Sequence, residues 1–445
     1  MEPNRLLYLC DLNLKNGGAQ RNTYKTIGCL SKVFKIILYI TDEPSPESLS
    51  LLNELHLEYI LDRELDAQML SNVISSRNIG LVLIQWENTK WIITLYRIKK
   101  SIGVKYAIFL HELPIIGVPT NKFIKNWYLL ASGRHLRDAI NIFFKMTEKK
   151  SVPEVHHYVD GGFSGGKGDP KKSVSESIRG LLRKITRVND TYKGLIEAEK
   201  VISMGPASKF YIDNFLRLSN VAEVRHNASS DISVKDSVKD MHFSFDICFM
   251  ARLEPRKGIF DVLEVVHRVK KMVDYEPKVA IMGRFVDEKT RAAFLRKSKK
   301  LKLESNIYLP GFVSENEKLE ILASSKVFLY PSKKDVFSIS LADALAMGLP
   351  AATYDMPFIT QFGNPGVYRV RLRDTKMMSK KVAEILRLCN SEPIKYANLR
   401  KVIQEDFRSK FSWDITCNEQ IQTINSIVAN LHERWVELLP TEDRS

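Results

Sequence analysis

Leu6-Leu-Tyr-Leu-Cys10 is an uninterrupted apolar run of strand length, and Asn16-Gly-Gly-Ala-Gln20 breaks it before an amphipathic stretch from Arg21 to Leu30. Such a run, turn and stripe read as a buried strand, a glycine turn and a helix. Phe34 to Ile40, Ile79 to Gln85 and Tyr106 to Leu110 repeat the apolar run, each after sequence of helical character. Between about 120 and 195 the alternation gives way to a helical, aromatic and basic insertion. It resumes at Lys200-Val-Ile-Ser-Met-Gly205 and closes near Asn227. The polar segment Ser229 to Met241 has no apolar run and reads as a linker. Strands then recur at Phe245 to Ala251, Lys278 to Met282, Asn306 to Leu309 and Val327 to Tyr330, and Trp413 to Leu439 carries apolar residues at helical spacing. Buried strands alternating with helices predict an α/β protein built of doubly wound parallel sheets.

The boundaries that follow are a first domain at 1–228 with its insertion at about 120–195, a linker at 229–242, a second domain at 243–410, and a C-terminal helix at 411–445 that packs back on the first domain. A chain of 445 residues is too long for one core, which agrees with two large domains. No apolar run of about 18 residues is present, so no membrane span is expected. The segment ahead of Asp11 lacks a basic n-region and a cleavage site, and the five cysteines are scattered singly. Neither an exported precursor, a disulfide framework nor a zinc site is expected, and a reducing cytoplasm fits.

Charge adds a constraint. The net charge is +15, and residues 120–200 hold 16 basic against 9 acidic side chains, which favours an anionic partner. Trp127, Tyr128, Phe143 and Phe144 interleaved with Lys122, Lys125, Arg134, Arg137 and Lys145 read either as an interfacial membrane segment or as a core-facing stripe with a solvated basic face. A nucleic-acid partner has only the charge behind it, for no reader motif is present.

The chemistry concentrates in the second half. After the strand ending at Met250 come Arg252 and Lys257, two cations five residues apart on the loop that opens a helix. Open α/β sheets bind ligands at that strand edge, and helix N-termini favour anions, so a diphosphate could be clamped there. Farther on, Asp335 precedes a helix starting near Ser338, and Asp343 lies on that helix among Ala342, Ala344 and Ala346. A carboxylate in so apolar a setting needs a partner. The alternatives are a helix-capping Asp335 with an internally paired Asp343, or a ligand site.

Taken together, Arg252-x4-Lys257-Gly258, Gly283 after an apolar strand, Leu309-Pro-Gly311-Phe-Val313, Pro331-Ser332, and the Asp335-x7-Asp343 pair ending in Gly348-x-Pro350 resemble the retaining GT-B glycosyltransferases of glycosyltransferase family 4. The likeness covers roughly 245–420. It is thinner in the first half, where Gly17-Gly18-Ala19, His111 and Arg225-His-Asn227 carry it. The resemblance implies two Rossmann-like domains facing across a cleft and transfer of a sugar from a nucleotide-diphosphate sugar to an acceptor hydroxyl with retention, in glycan, glycolipid or cell-surface polysaccharide synthesis. Arg252 and Lys257 would neutralise the diphosphate, Asp343 would take the ribose hydroxyls, and Val313 would meet the base of a UDP or GDP donor through its backbone. Asp335 with the amides near Ser338 and Ile339 would hold the sugar. Gly17, Gly18 and Gly283 would let backbone approach the donor, and His111 would lie near the anomeric carbon. The leaving phosphate would itself accept the proton, with no metal and no cofactor beyond the nucleotide-sugar.

One departure stands out. The family carries glutamate at both acid positions, and each aspartate shortens the reach by about 1.5 Å. Misplacement near 1 Å lowers rates by about a hundredfold, so a catalytically weak or inactive nucleotide-sugar-binding module is the alternative. A glycan or lipid-linked acceptor at the cytoplasmic membrane face is the expected second substrate. Gly161-Gly-Phe-Ser-Gly-Gly-Lys-Gly168 falls short of a P-loop because Gly168 replaces the hydroxyl that would bind magnesium. No D-x-D and no strand-linked G-x-G-x-x-G occurs, and His156-His157 have no ligand companions.

Overall fold

The computed structural model describes residues 2–12, 18–85, 89–110, 190–216, 218–224, 243–333, 335, 337–363 and 365–438. The chain divides into two units, Met1–Arg225 with Thr416–Ser445, and His226–Ile415. The 229–242 linker, nearly all of the 120–195 insertion and the Gly161–Gly168 loop lie outside the described residues.

The first unit holds strands β1 (Glu2–Leu9), β2 (Lys35–Ile40), β3 (Glu58–Leu61), β4 (Ile79–Gln85), β5 (Tyr106–Leu110), β6 (Lys200–Ser203) and β7 (Val221–Glu223). They form one parallel sheet in the order β3-β2-β1-β4-β5-β6-β7. Helices α1 (Gly18–Leu30), α2 (Pro46–Glu54), α3 (Ala67–Ser76), α4 (Thr89–Ile102) and the short α5 (Pro206–Tyr211) connect them. The second unit holds β8 (Phe245–Met250), β9 (Val279–Met282), β10 (Ile307–Gly311), β11 (Ser325–Tyr330), β12 (Ala351–Tyr354) and β13 (Val367–Val370) in the order β10-β9-β8-β11-β12-β13, again parallel throughout. Its helices are α6 (Ile259–Lys270), α7 (Glu288–Lys300), α8 (Glu315–Ala323), α9 (Ile339–Ala346), α10 (Thr375–Ser391) and α11 (Pro393–Lys410).

Both sheets place their first strand in the middle and reverse direction beside it, between β1 and β4 and between β8 and β11. That is the order of dinucleotide-type folds, whose ligand crevice opens at this reversal, beyond the strands' carboxyl ends. Strand interiors explain the apolar runs: Leu6 to Leu9, Leu81 to Ile84 and Val327 to Leu329 are all fully buried, as strands covered on both faces must be.

The last helix, α12 (Trp413–Leu438), belongs to the first unit from Thr416 onward. Ile424, Ile427, Val428 and Leu431 join the core formed by Leu6, Tyr8, Ile27 and Leu30, and Gln420 donates a 3.1 Å hydrogen bond to the Thr26 hydroxyl of α1. The expectation of unpaired cysteines is corrected here, because Cys29 of α1 and Cys417 of α12 form a disulfide. With the two cysteines 388 positions apart in sequence, no local spacing could signal the pair; only the return of α12 brings them together. Cys10, Cys248 and Cys389 lie outside this disulfide and are buried.

Candidate functional site

The loops after β8 and β11 flank the strand reversal of the second sheet, and they touch. The Lys333 amide donates to the Arg256 carbonyl at 2.9 Å. Gly258 has φ +81, and a Cβ there would sit 2.0 Å from the Pro331 carbonyl oxygen. Only glycine allows this approach. The turn Pro255–Lys257 leads through Gly258 into α6.

This geometry seats Lys257 against Asp335. The Lys257 ammonium lies 2.7 Å from Asp335 Oδ2, with side chains 17% and 19% exposed, and the buried Tyr330 hydroxyl, at the end of β11, donates to the same oxygen. Burial alone lowers the lysine's affinity for its proton. The charge of Asp335 outweighs that and holds Lys257 above the usual lysine range. Tyr330 is pushed up to about 12, first by burial and then by the charge of Asp335. Beneath the same loops, Asp261 in the first turn of α6 accepts from the Tyr354 hydroxyl at 2.7 Å and pairs with Lys333 at 3.0 Å.

The other expected residues fall around this pair. Arg252 is exposed on the loop after β8. Ser338 precedes α9 with φ +69 and ψ +70, and Ile339 is the first helical residue. Gly283 follows β9 with φ +134; its amide donates to the Gly311 carbonyl at 2.7 Å, and a Cβ would meet the Ala251 carbonyl oxygen at 1.9 Å. It thereby knits the ends of β8, β9 and β10. Val313 lies just past Gly311, next to Phe312, whose exposed ring carries the Arg284 guanidinium 4.9 Å above its centroid. In the first unit, Gly18 opens α1 after β1, beside that sheet's reversal. Gly17 and His111 lie outside the described residues.

Asp343 sits on α9 with its side chain 2% exposed, and its partner is Lys318 of α8 at 2.8 Å. Lys318 also contacts Glu315, in the first turn of α8, whose side chain is 34% exposed. Sequence reasoning missed Tyr330, Lys318 and Glu315. Tyr330 ends an apolar run and reads as strand. Lys318 did leave a signal, because it shares a helical stripe with Ile321 and Leu322 and all three are buried. A lysine at such a position is kept only with a partner.

Two parallel sheets in dinucleotide-fold order, with cations and carboxylates gathered at the reversal of the second, define a doubly wound α/β protein of two Rossmann-like units. Residues 239–404 match the family Glycosyl transferases group 1. A glycosyltransferase from Rickettsia africae superposes with a TM-score of 0.67 at 12% identity, covering 97% of this chain and 100% of its own. HepE of Anabaena, in complex with UDP and glucose, gives 0.65 at 14% identity over 95% and 99%. Sucrose-phosphate synthase from Thermosynechococcus elongatus gives 0.63 at 12% over 96% and 100%. No curated protein matches by sequence. The chain therefore has the GT-B fold, and within its second unit residues 239–404 are similar to the group 1 glycosyl transferases.

Proposed function

We propose that the protein transfers a sugar from a nucleoside-diphosphate sugar to an acceptor hydroxyl, with retention. The observation that carries this reading is the Lys257–Asp335 pair spanning the two loops at the strand reversal. A diphosphate entering there gains the Lys257 ammonium and the exposed Arg252 guanidinium. Because its negative charge grows as the glycosidic bond breaks, preorganised cations stabilise the transition state more than the ground state. Asp335 and the first amides of α9 take sugar hydroxyls, Asp343 lies at the ribose, and Val313 meets the base. The leaving phosphate accepts the proton of the incoming hydroxyl, and Arg252 and Lys257 provide the positive charge in place of a metal. The complexes of HepE with UDP and with UDP-glucose make uridine donors the first to try.

The test is release of nucleoside diphosphate from a panel of UDP- and GDP-sugars in EDTA. Slow hydrolysis of one donor that disappears in Lys257→Ala and Asp335→Ala supports the enzyme, and absence of release with every donor overturns it. A second reading, a nucleotide-sugar-binding module without turnover, is favoured by the burial of Asp343 against Lys318; tight binding without release selects it. The acceptor we propose is a glycan or lipid-linked hydroxyl at an anionic cytoplasmic membrane face, on the basic surplus of residues 120–200. Among the described residues no helix is long and apolar enough to cross a membrane. Flotation with anionic liposomes at low salt tests the surface association, and failure to float removes it.

A further inference from the structure

The Glu315–Lys318–Asp343 cluster is not explained by packing. Lys318 is 6% exposed on a helix face otherwise filled by Ile321 and Leu322. Exchanging a buried ion pair for apolar side chains is often neutral or stabilising, so stability alone is a weak reason to keep one. The ammonium lies between two carboxylates of unequal access: Asp343, on α9, is enclosed, whereas Glu315 begins the helix that starts two residues after Val313. Lys318 thus links the helix that follows the expected base contact to the acid expected at the ribose.

Resting on the donor-site reading above, we infer that Lys318 is a positioning residue for ribose recognition. Its 2.8 Å hydrogen bond to Asp343 Oδ2 fixes the plane of that carboxylate. A carboxylate held at one oxygen by a charged donor cannot rotate freely about its terminal torsion. The Glu315 carboxylate holds the same ammonium from α8, so movement of α8 against α9 breaks a contact on one side. The shorter acid is in this way given a fixed aim, and the ribose diol is read by a clamped group.

Discrimination between a ribonucleotide and its 2′-deoxy analogue reports this, because a merely structural role would lower affinity for both alike. Dissociation constants of UDP, 2′-deoxy-UDP, GDP and 2′-deoxy-GDP are measured by calorimetry for the wild type, Lys318→Met, Lys318→Gln and Asp343→Asn. A hydrogen bond to a charged group supports a wild-type preference for the ribonucleotide of about tenfold or more. Lys318→Met and Asp343→Asn are each expected to reduce that ratio to within about threefold of unity. The Lys318→Gln amide still donates to Asp343, which guards against loss of folding, and its neutral bond is expected to leave an intermediate ratio. If Asp343→Asn abolishes the preference while both Lys318 variants keep it, the positioning role is overturned and the donor site stands. Equal weakening toward both sugars also overturns it. If the wild type binds none of the four nucleotides, the donor-site reading fails first and this inference with it.

Discussion

Asp335→Asn is expected to strengthen binding of a free nucleoside diphosphate while it weakens sugar transfer. Lys257 and Asp335 are 2.7 Å apart; at an effective dielectric of about 20, unit charges at that separation attract by about 6 kcal/mol. Desolvation and the water reaching both side chains offset much of this. A diphosphate entering the loop meets a cation largely cancelled by its neighbour. At roughly 7 Å the carboxylate repels one phosphate charge by about 2 kcal/mol in the same medium. The nearly isosteric asparagine removes that repulsion and leaves Lys257 in place, so Kd for UDP or GDP should fall by about tenfold to thirtyfold. Transfer should slow by about tenfold to a hundredfold, because a charged hydrogen bond to the sugar is lost. Calorimetry reads the first effect and donor hydrolysis the second. Unchanged or weaker nucleotide binding in Asp335→Asn refutes the idea that Asp335 holds the phosphate cation in check.

Three further outcomes follow from the same structure. Ser338→Gly relieves a left-handed serine, worth about 1–2 kcal/mol, against about 0.5–1 kcal/mol of added chain entropy; calorimetric scanning should show a Tm raised by a few degrees, and a lowered Tm would sink the account. Tyr330 keeps its proton in the fold to about pH 12, against about 10 for an ordinary tyrosine. The native state therefore binds more protons than the unfolded one in that window, and stability falls as pH rises through it, by up to about 2–3 kcal/mol for this group. Urea titrations of wild type and Tyr330→Phe across pH 9–12 check this, the variant expected to show the shallower decline. For the Cys29–Cys417 bridge, thiol titration in denaturant should count three thiols without reductant and five with it, and reduction should cost about 2–5 kcal/mol; five thiols without reductant removes the bridge.

The alternation of strands and helices was readable because buried parallel strands must be apolar throughout, as in Leu81 to Ile84 and Val327 to Leu329. Edge strands escape that rule. The Glu58 and Tyr59 side chains of β3 are exposed and β13 contains Arg369, so neither shows an apolar run, and β12 follows so closely on Gly348-x-Pro350 that it reads as a helix stop. Within the site, the loop cations and acids were visible as charged residues beside strand ends. Their partners were not, since the contacts of Lys257 with Asp335 and of Lys318 with Asp343 join positions 78 and 25 residues apart.

The membership of α12 in the first unit has a consequence for how the molecule is made. Leu6, Tyr8 and Ile27 are synthesised before the second unit, yet Ile424, Ile427, Val428 and Leu431, which complete their core, are synthesised after it. The second unit is continuous in sequence, and all of its residues are available before the first unit's last helix exists. The usual order, in which the earlier domain folds first during synthesis, is not open to this connectivity: the first unit's core keeps an apolar face uncovered until the second unit has been made, and a chain stalled near residue 415 would carry a complete second unit attached to an unfinished first one.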